Sequence, residues 1–88
     1  MVNTHLHNTS AISSIIEFFK LRNIRYEIDD SRSYYTNGED VLVIVVDEIT
    51  YKFVETNSNM QNVMMIYNDN SPVTGLNNII SELIMTFA

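Results

Sequence analysis

The run Val41-Leu42-Val43-Ile44-Val45-Val46 is continuously apolar and, apart from Leu42, β-branched. Branched side chains pack well on a pleated surface, and an unbroken apolar run has no wet face, so the segment reads as a central strand covered on both sides. Its flanks show how the chain reverses. Asn37-Gly38, set between Tyr34-Tyr35 and Val41-Leu42, is a strong two-residue hairpin signal. On the far side, Asp47-Glu48 can turn the chain into Ile49, Tyr51 and Phe53, which alternate with Thr50 and Lys52 as a half-buried strand does. A polar loop at Thr56 to Asn59 precedes a further strand over Gln61 to Tyr67.

Helical spacing brackets these strands. Ile12, Ile15, Ile16 and Phe19 recur at the interval of one helical face within Ser10 to Asn23. Thr9 or Ser10 can cap that helix, Lys20 and Arg22 suit its negative end, and Asn23 can take the left-handed conformation that stops it. The period then changes to two, with Ile24, Tyr26 and Ile28 alternating with Arg25, Glu27 and Asp29. After the turn formers Asn68 to Pro72, Leu76, Ile79, Ile80, Leu83 and Phe87 return to helical spacing. The expected fold is α+β: an N-terminal helix, an antiparallel sheet of four or five strands and a C-terminal helix, with both helices on one sheet face. At 88 residues and 45% hydrophobic content the chain reads as a single domain over 1–88, with 1–9 a flexible leader.

Charge is the second organising feature. Eight of the eleven acidic residues, Glu27, Asp29, Asp30, Glu39, Asp40, Asp47, Glu48 and Glu55, lie in one window against only Arg32 and Lys52, which accounts for the net charge of −6. Elsewhere Glu17, Asp69 and Glu82 are balanced by Lys20, Arg22 and Arg25. By strand parity Glu27, Asp29, Thr50 and Lys52 line the sheet face away from the helices, and the remaining acids gather on turns at its edges. With five basic residues in all, direct nucleic-acid binding and attachment to anionic membranes are disfavoured. No apolar stretch approaches the length of a membrane helix and no signal sequence is visible, which points to a cytoplasmic location. There is no cysteine, so disulfides and thiolate metal sites are excluded.

Chemistry is harder to place. His5 and His7 lie in an unpatterned terminal segment with no acid or cysteine to complete a ligand set. The pairs Asp29-Asp30, Glu39-Asp40 and Asp47-Glu48 fall where turns are expected, and neighbours on a strand point to opposite faces. Asp29 to Asp40 has the length of a calcium-binding loop but carries Tyr34 where such a loop needs glycine. Gly38 and Gly75 are the only glycines, too few for a phosphate-cradling loop. No catalytic residue, metal site or cofactor is expected, and the chain reads as a non-enzymatic binding protein. Tyr34 and Tyr35 beside the acidic turn suit an interface, because tyrosine gives amphipathic contact area at low entropic cost.

In size, charge and mixed helix and sheet content the whole chain resembles the small acidic inhibitors that bacteriophages encode against host defence, in particular anti-CRISPR proteins of the DNA-mimic type. The resemblance implies an inhibitor, acting in the host cell cytoplasm, that fills a basic nucleic-acid-binding groove of a nuclease or CRISPR-Cas complex. The charge map assigns partner binding to Glu27, Asp29, Asp30, Tyr34, Tyr35, Glu39, Asp40, Asp47, Glu48 and Glu55. Carboxylates offer the same Arg and Lys donors that grip phosphate. A duplex laid across a domain roughly 30 Å wide carries about 18 charges, so eight carboxylates imitate only a short piece of nucleic acid. The alternative is a structural or chaperone-like homodimer, formed through the open sheet face or through edge pairing by Val41 to Val46 or the methionine-bearing strand. The chain is thus expected as monomer or homodimer.

Overall fold

In the computed structural model, residues 11–36, 38–57 and 62–88 are described. The elements in chain order are α1 (Ala11–Leu21), β1 (Glu27–Ile28), β2 (Tyr34–Tyr35), β3 (Glu39–Val46), β4 (Ile49–Thr56), β5 (Val63–Tyr67), β6 (Val73–Thr74) and α2 (Leu76–Thr86). The α+β class and the helix, sheet, helix order are as expected. The sheet contains six strands, of which β1, β2 and β6 are two residues long. All pairings are antiparallel in the order β1-β3-β4-β5-β6, with β2 also on β3. Among the described residues no helix is long and apolar enough to cross a membrane.

Register explains which side chains meet the helices. Rows such as Leu42–Phe53–Met65 and Ile44–Tyr51–Tyr67 run across the sheet on one face. They join Ala11, Ile12, Ile15 and Phe19 of α1 and Ile79 and Leu83 of α2 in one buried cluster, so both helices lie on that face. The opposite rows, Val41–Val54–Met64 and Val43–Lys52–Ile66, form a face without a helix. Val41 and Val43 are nonetheless 1% and 3% exposed, so β3 is covered on both faces.

The chain ends of α1 are fixed by different means. At its C-terminus Asn23 has φ 57°, its N–H donates to Lys20 C=O, and the Ile24 N–H reaches back to Phe19 C=O. This is a Schellman closure, completed by Ile24 and Phe19 sharing the core. Arg22 lies 4.9 Å over the Phe18 ring, a cation–π contact on the last turn. The N-terminus of α1 uses a distant carboxylate, described below. α2 begins after Gly75, whose φ of 89° is a backbone that L side chains rarely adopt. The Gly75 N–H donates to Val63 C=O at 2.8 Å, so both helices start at the same end of the sheet, near Glu55 and Val63. Their far ends meet an aromatic group in which Phe87 contacts Phe19 and Tyr51.

β3 is an interior strand. β4 fills one edge over its whole length, while β1 and β2 share the other. Between them the Ser33 hydroxyl accepts from Val43 N–H at 2.9 Å and donates to Asp29 C=O at 2.8 Å, carrying the ladder across the gap. Edge pairing of Val41 to Val46 with a second chain is therefore ruled out, because both of its edges are occupied.

Candidate functional site

The acidic window divides into three places. At the β3–β4 turn, Asp47 and Glu48 are exposed and both left-handed, with φ 50° and 70°, the pattern of a type I′ hairpin between paired Val46 and Ile49. Glu27 pairs with Val45 just below that turn and is also exposed. Arg25, Tyr26, Glu27 and Asp47 border one hollow of about 480 Å³, so strand edge and turn form a single corner. Glu27, Asp47 and Glu48 make no ion pair among the described residues.

The second place is the crossover from β1 to β2. Asp29 Oδ1 accepts from the Ser31 hydroxyl at 2.6 Å and the Ser31 N–H at 3.1 Å, while Oδ2 accepts from Arg32 Nε at 2.7 Å. The Ser31 hydroxyl, and then the Arg32 guanidinium, hold the Asp29 carboxyl below its ordinary value of 3.8. Asp30 beside it is exposed. The Tyr34 hydroxyl donates to Glu39 Oε1 at 2.8 Å, which pushes the phenol upward, with loss of solvation adding to the shift. Thr36 closes the hairpin, its hydroxyl donating to Glu39 C=O and accepting from Glu39 N–H. Tyr35 turns the other way and packs half-buried against the core, and that burial, with Asp40 and Asp30 nearby, raises its phenol.

The third place corrects the expected surface patch. Glu55 is 0% exposed and Asp40 5% exposed, and the two are register partners on the helix face. Glu55 Oε2 accepts from Ala11 N–H at 3.0 Å and Oε1 from Ile12 N–H at 3.2 Å. The first amides of a helix lack intrahelical partners and carry partial positive charge, so a carboxylate held against them is both hydrogen-bonded and electrostatically favoured. Glu55 thus acts as a cap supplied from 44 residues away. Glu55 offers no accessible surface to a partner and Asp40 very little.

No protein-family model, curated protein or solved structure matches this chain.

The open face also differs from a plain carboxylate surface. Glu27 and Lys52 lie on it as parity requires, but Val45, Val54, Met64 and Ile66 occupy most of the remaining positions and are half-buried. A hollow of about 370 Å³ at the β1/β2 side brings Ser31, Arg32 and Tyr34 beside Thr50 and Lys52 over Val41 and Val43. Sequence reading did not connect Arg32 with Lys52: parity places Lys52 on the side of the sheet opposite Tyr51 and Phe53, but Arg32 lies in a turn, where parity gives no face. Among the described residues no group of three His, Asp or Glu side chains could hold a metal ion. His5 and His7 lie outside the described residues.

Proposed function

We propose that this chain is a non-enzymatic inhibitor that docks an acidic corner onto a basic nucleic-acid-binding surface of a nuclease or CRISPR-Cas complex. The observation that supports the reading is the gathering of Glu27, Asp47 and Glu48 at one end of the sheet, exposed and without ion pairs among the described residues. Asp30 and Glu39 extend it along the β1/β2 edge, and Tyr34, 46% exposed, adds an aromatic contact. A tight hairpin turn presents the corner with little conformational freedom to lose on binding, which favours affinity. The longest dimension is 32 Å, so these few carboxylates match a local phosphate site and not an extended duplex.

The test is DNA cleavage by a panel of purified nucleases and CRISPR effector complexes with the protein added. Inhibition that weakens as salt rises, and that is lost in a folded Glu27→Lys/Asp47→Lys/Glu48→Lys variant, supports the reading. Absence of inhibition across the panel, or an equally potent reversal variant, sinks it. A second reading has its own observation: Val45, Val54, Met64 and Ile66 leave an apolar half on the helix-free face, suited to a homodimer. Sedimentation at low and high salt separates the two, since an apolar dimer persists in both.

A further inference from the structure

We infer that the hollow on the helix-free face is a binding site for a small organic anion, a carboxylate or phosphate carried on a single aromatic or similarly compact apolar body. The inference is independent of the acidic corner.

Its chemistry is the reverse of the chain's overall charge. The chain has five basic residues, and two of them, Arg32 and Lys52, border the same space of about 370 Å³. Lys52 stands between Val43 and Ile66 in register, so its ammonium rises from an apolar row, and it has no ion pair among the described residues. The Asp29 bond engages only Nε–H of Arg32, one of several donors that a guanidinium carries. The Thr50 hydroxyl adds a neutral hydrogen-bonding group to the lining, while the Ser31 hydroxyl donates to Asp29 and serves to hold the rim. An anion placed between Lys52 and the Arg32 guanidinium donors that Asp29 does not engage would accept charge-assisted hydrogen bonds from both.

The floor and wall specify the rest of the ligand. Val41 and Val43 give a buried apolar base, and Tyr34 supplies an exposed ring at the side. The rim is held before any ligand arrives: Asp29 fixes Ser31 and Arg32, Ser33 ties this segment to Val43, and Glu39 anchors the Tyr34 hydroxyl. Such preorganisation lowers the ordering cost of binding. The volume falls at the small end of the roughly 300–1,000 Å³ typical of ligand pockets, which suits a one-ring compound.

Amide-detected NMR titration with phenyl phosphate, benzoate and the neutral benzyl alcohol tests the site. At least one of the two anions should shift the amides of Ser31, Arg32, Val43 and Lys52 saturably, and benzyl alcohol should not; the stronger anion tells phosphate from carboxylate. Lys52→Met keeps the apolar stem and removes the charge at an exposed position, and should weaken the anion by about tenfold or more. No saturable shift with either anion, an equal response to benzyl alcohol, or unchanged affinity in Lys52→Met would overturn the inference.

Discussion

The two ends of the β3–β4 hairpin carry the same kinds of side chain in opposite settings. At the turn, Asp47 and Glu48 stand in water with Glu27 beside them; at the open end, Glu55 is enclosed against the start of α1 and its register partner Asp40 is buried beside it. The difference lies in what each end faces. The turn residues face solvent, whereas the open end meets the first amides of α1, which need an acceptor. A formal charge of −6 therefore overstates the surface: part of the acidic window serves the interior.

The comparison breaks most visibly at Glu55. Replacing Glu55 by Ala leaves the Ala11 and Ile12 amides unpaired in a buried setting, and should cost about 3 kcal/mol in urea unfolding. For a domain of this size that corresponds to a fall in Tm of roughly 12–24 °C. A loss below about 0.5 kcal/mol would place Glu55 with ordinary surface residues. At the other end the sign reverses. Glu48→Gly removes a left-handed non-glycine residue at φ 70° and should stabilise the protein by about 0.5 kcal/mol, even though a charge is lost.

The smallest effect belongs to Asp29. Its carboxyl sits below its ordinary value of 3.8, so the stability it contributes is fully present above that pH and is lost as pH falls through the lower folded value. A side-chain carboxyl NMR titration should find the midpoint below 3.8, and Ser31→Ala should raise it, because the Ser31 hydroxyl is the largest cause of the shift. An unmoved midpoint in Ser31→Ala would assign the depression to Arg32 and the Ser31 backbone N–H.

Much of the fold was legible because local signals agreed. The helical spacing of Ile12, Ile15 and Phe19 and the left-handed stop at Asn23 match α1, and the flanks of Asn37-Gly38 pair as a hairpin; Asn37 itself lies outside the described residues, as do 58–61 of the polar loop. The strand expected from Ile24 has ladder pairing only at Glu27–Ile28, because in that register the residues before Glu27 reach and then run past Val46, where β3 ends in its turn. The inward turn of Glu55 was also within reach. It continues the alternation of Tyr51 and Phe53, just as Asp40 precedes Leu42 and Ile44 by the same step. What local pattern does not supply is the partner: a carboxylate on an apolar face is unfavourable until a helix start arrives from the other end of the chain. The pairing of Arg32 with Lys52 around one hollow depends on tertiary structure in the same way.

Paired thermal melts of Glu55→Gln and of the double variant Asp47→Asn/Glu48→Gln test most directly whether the acidic window is two sets or one. Both are near-isosteric neutralisations, so they differ mainly in place. Glu55→Gln should lower Tm by about 5–10 °C, because one carboxylate oxygen facing an N–H becomes a donor. The turn variant should stay within about 0.5 kcal/mol of the parent. Equal shifts in the two proteins would contradict the division.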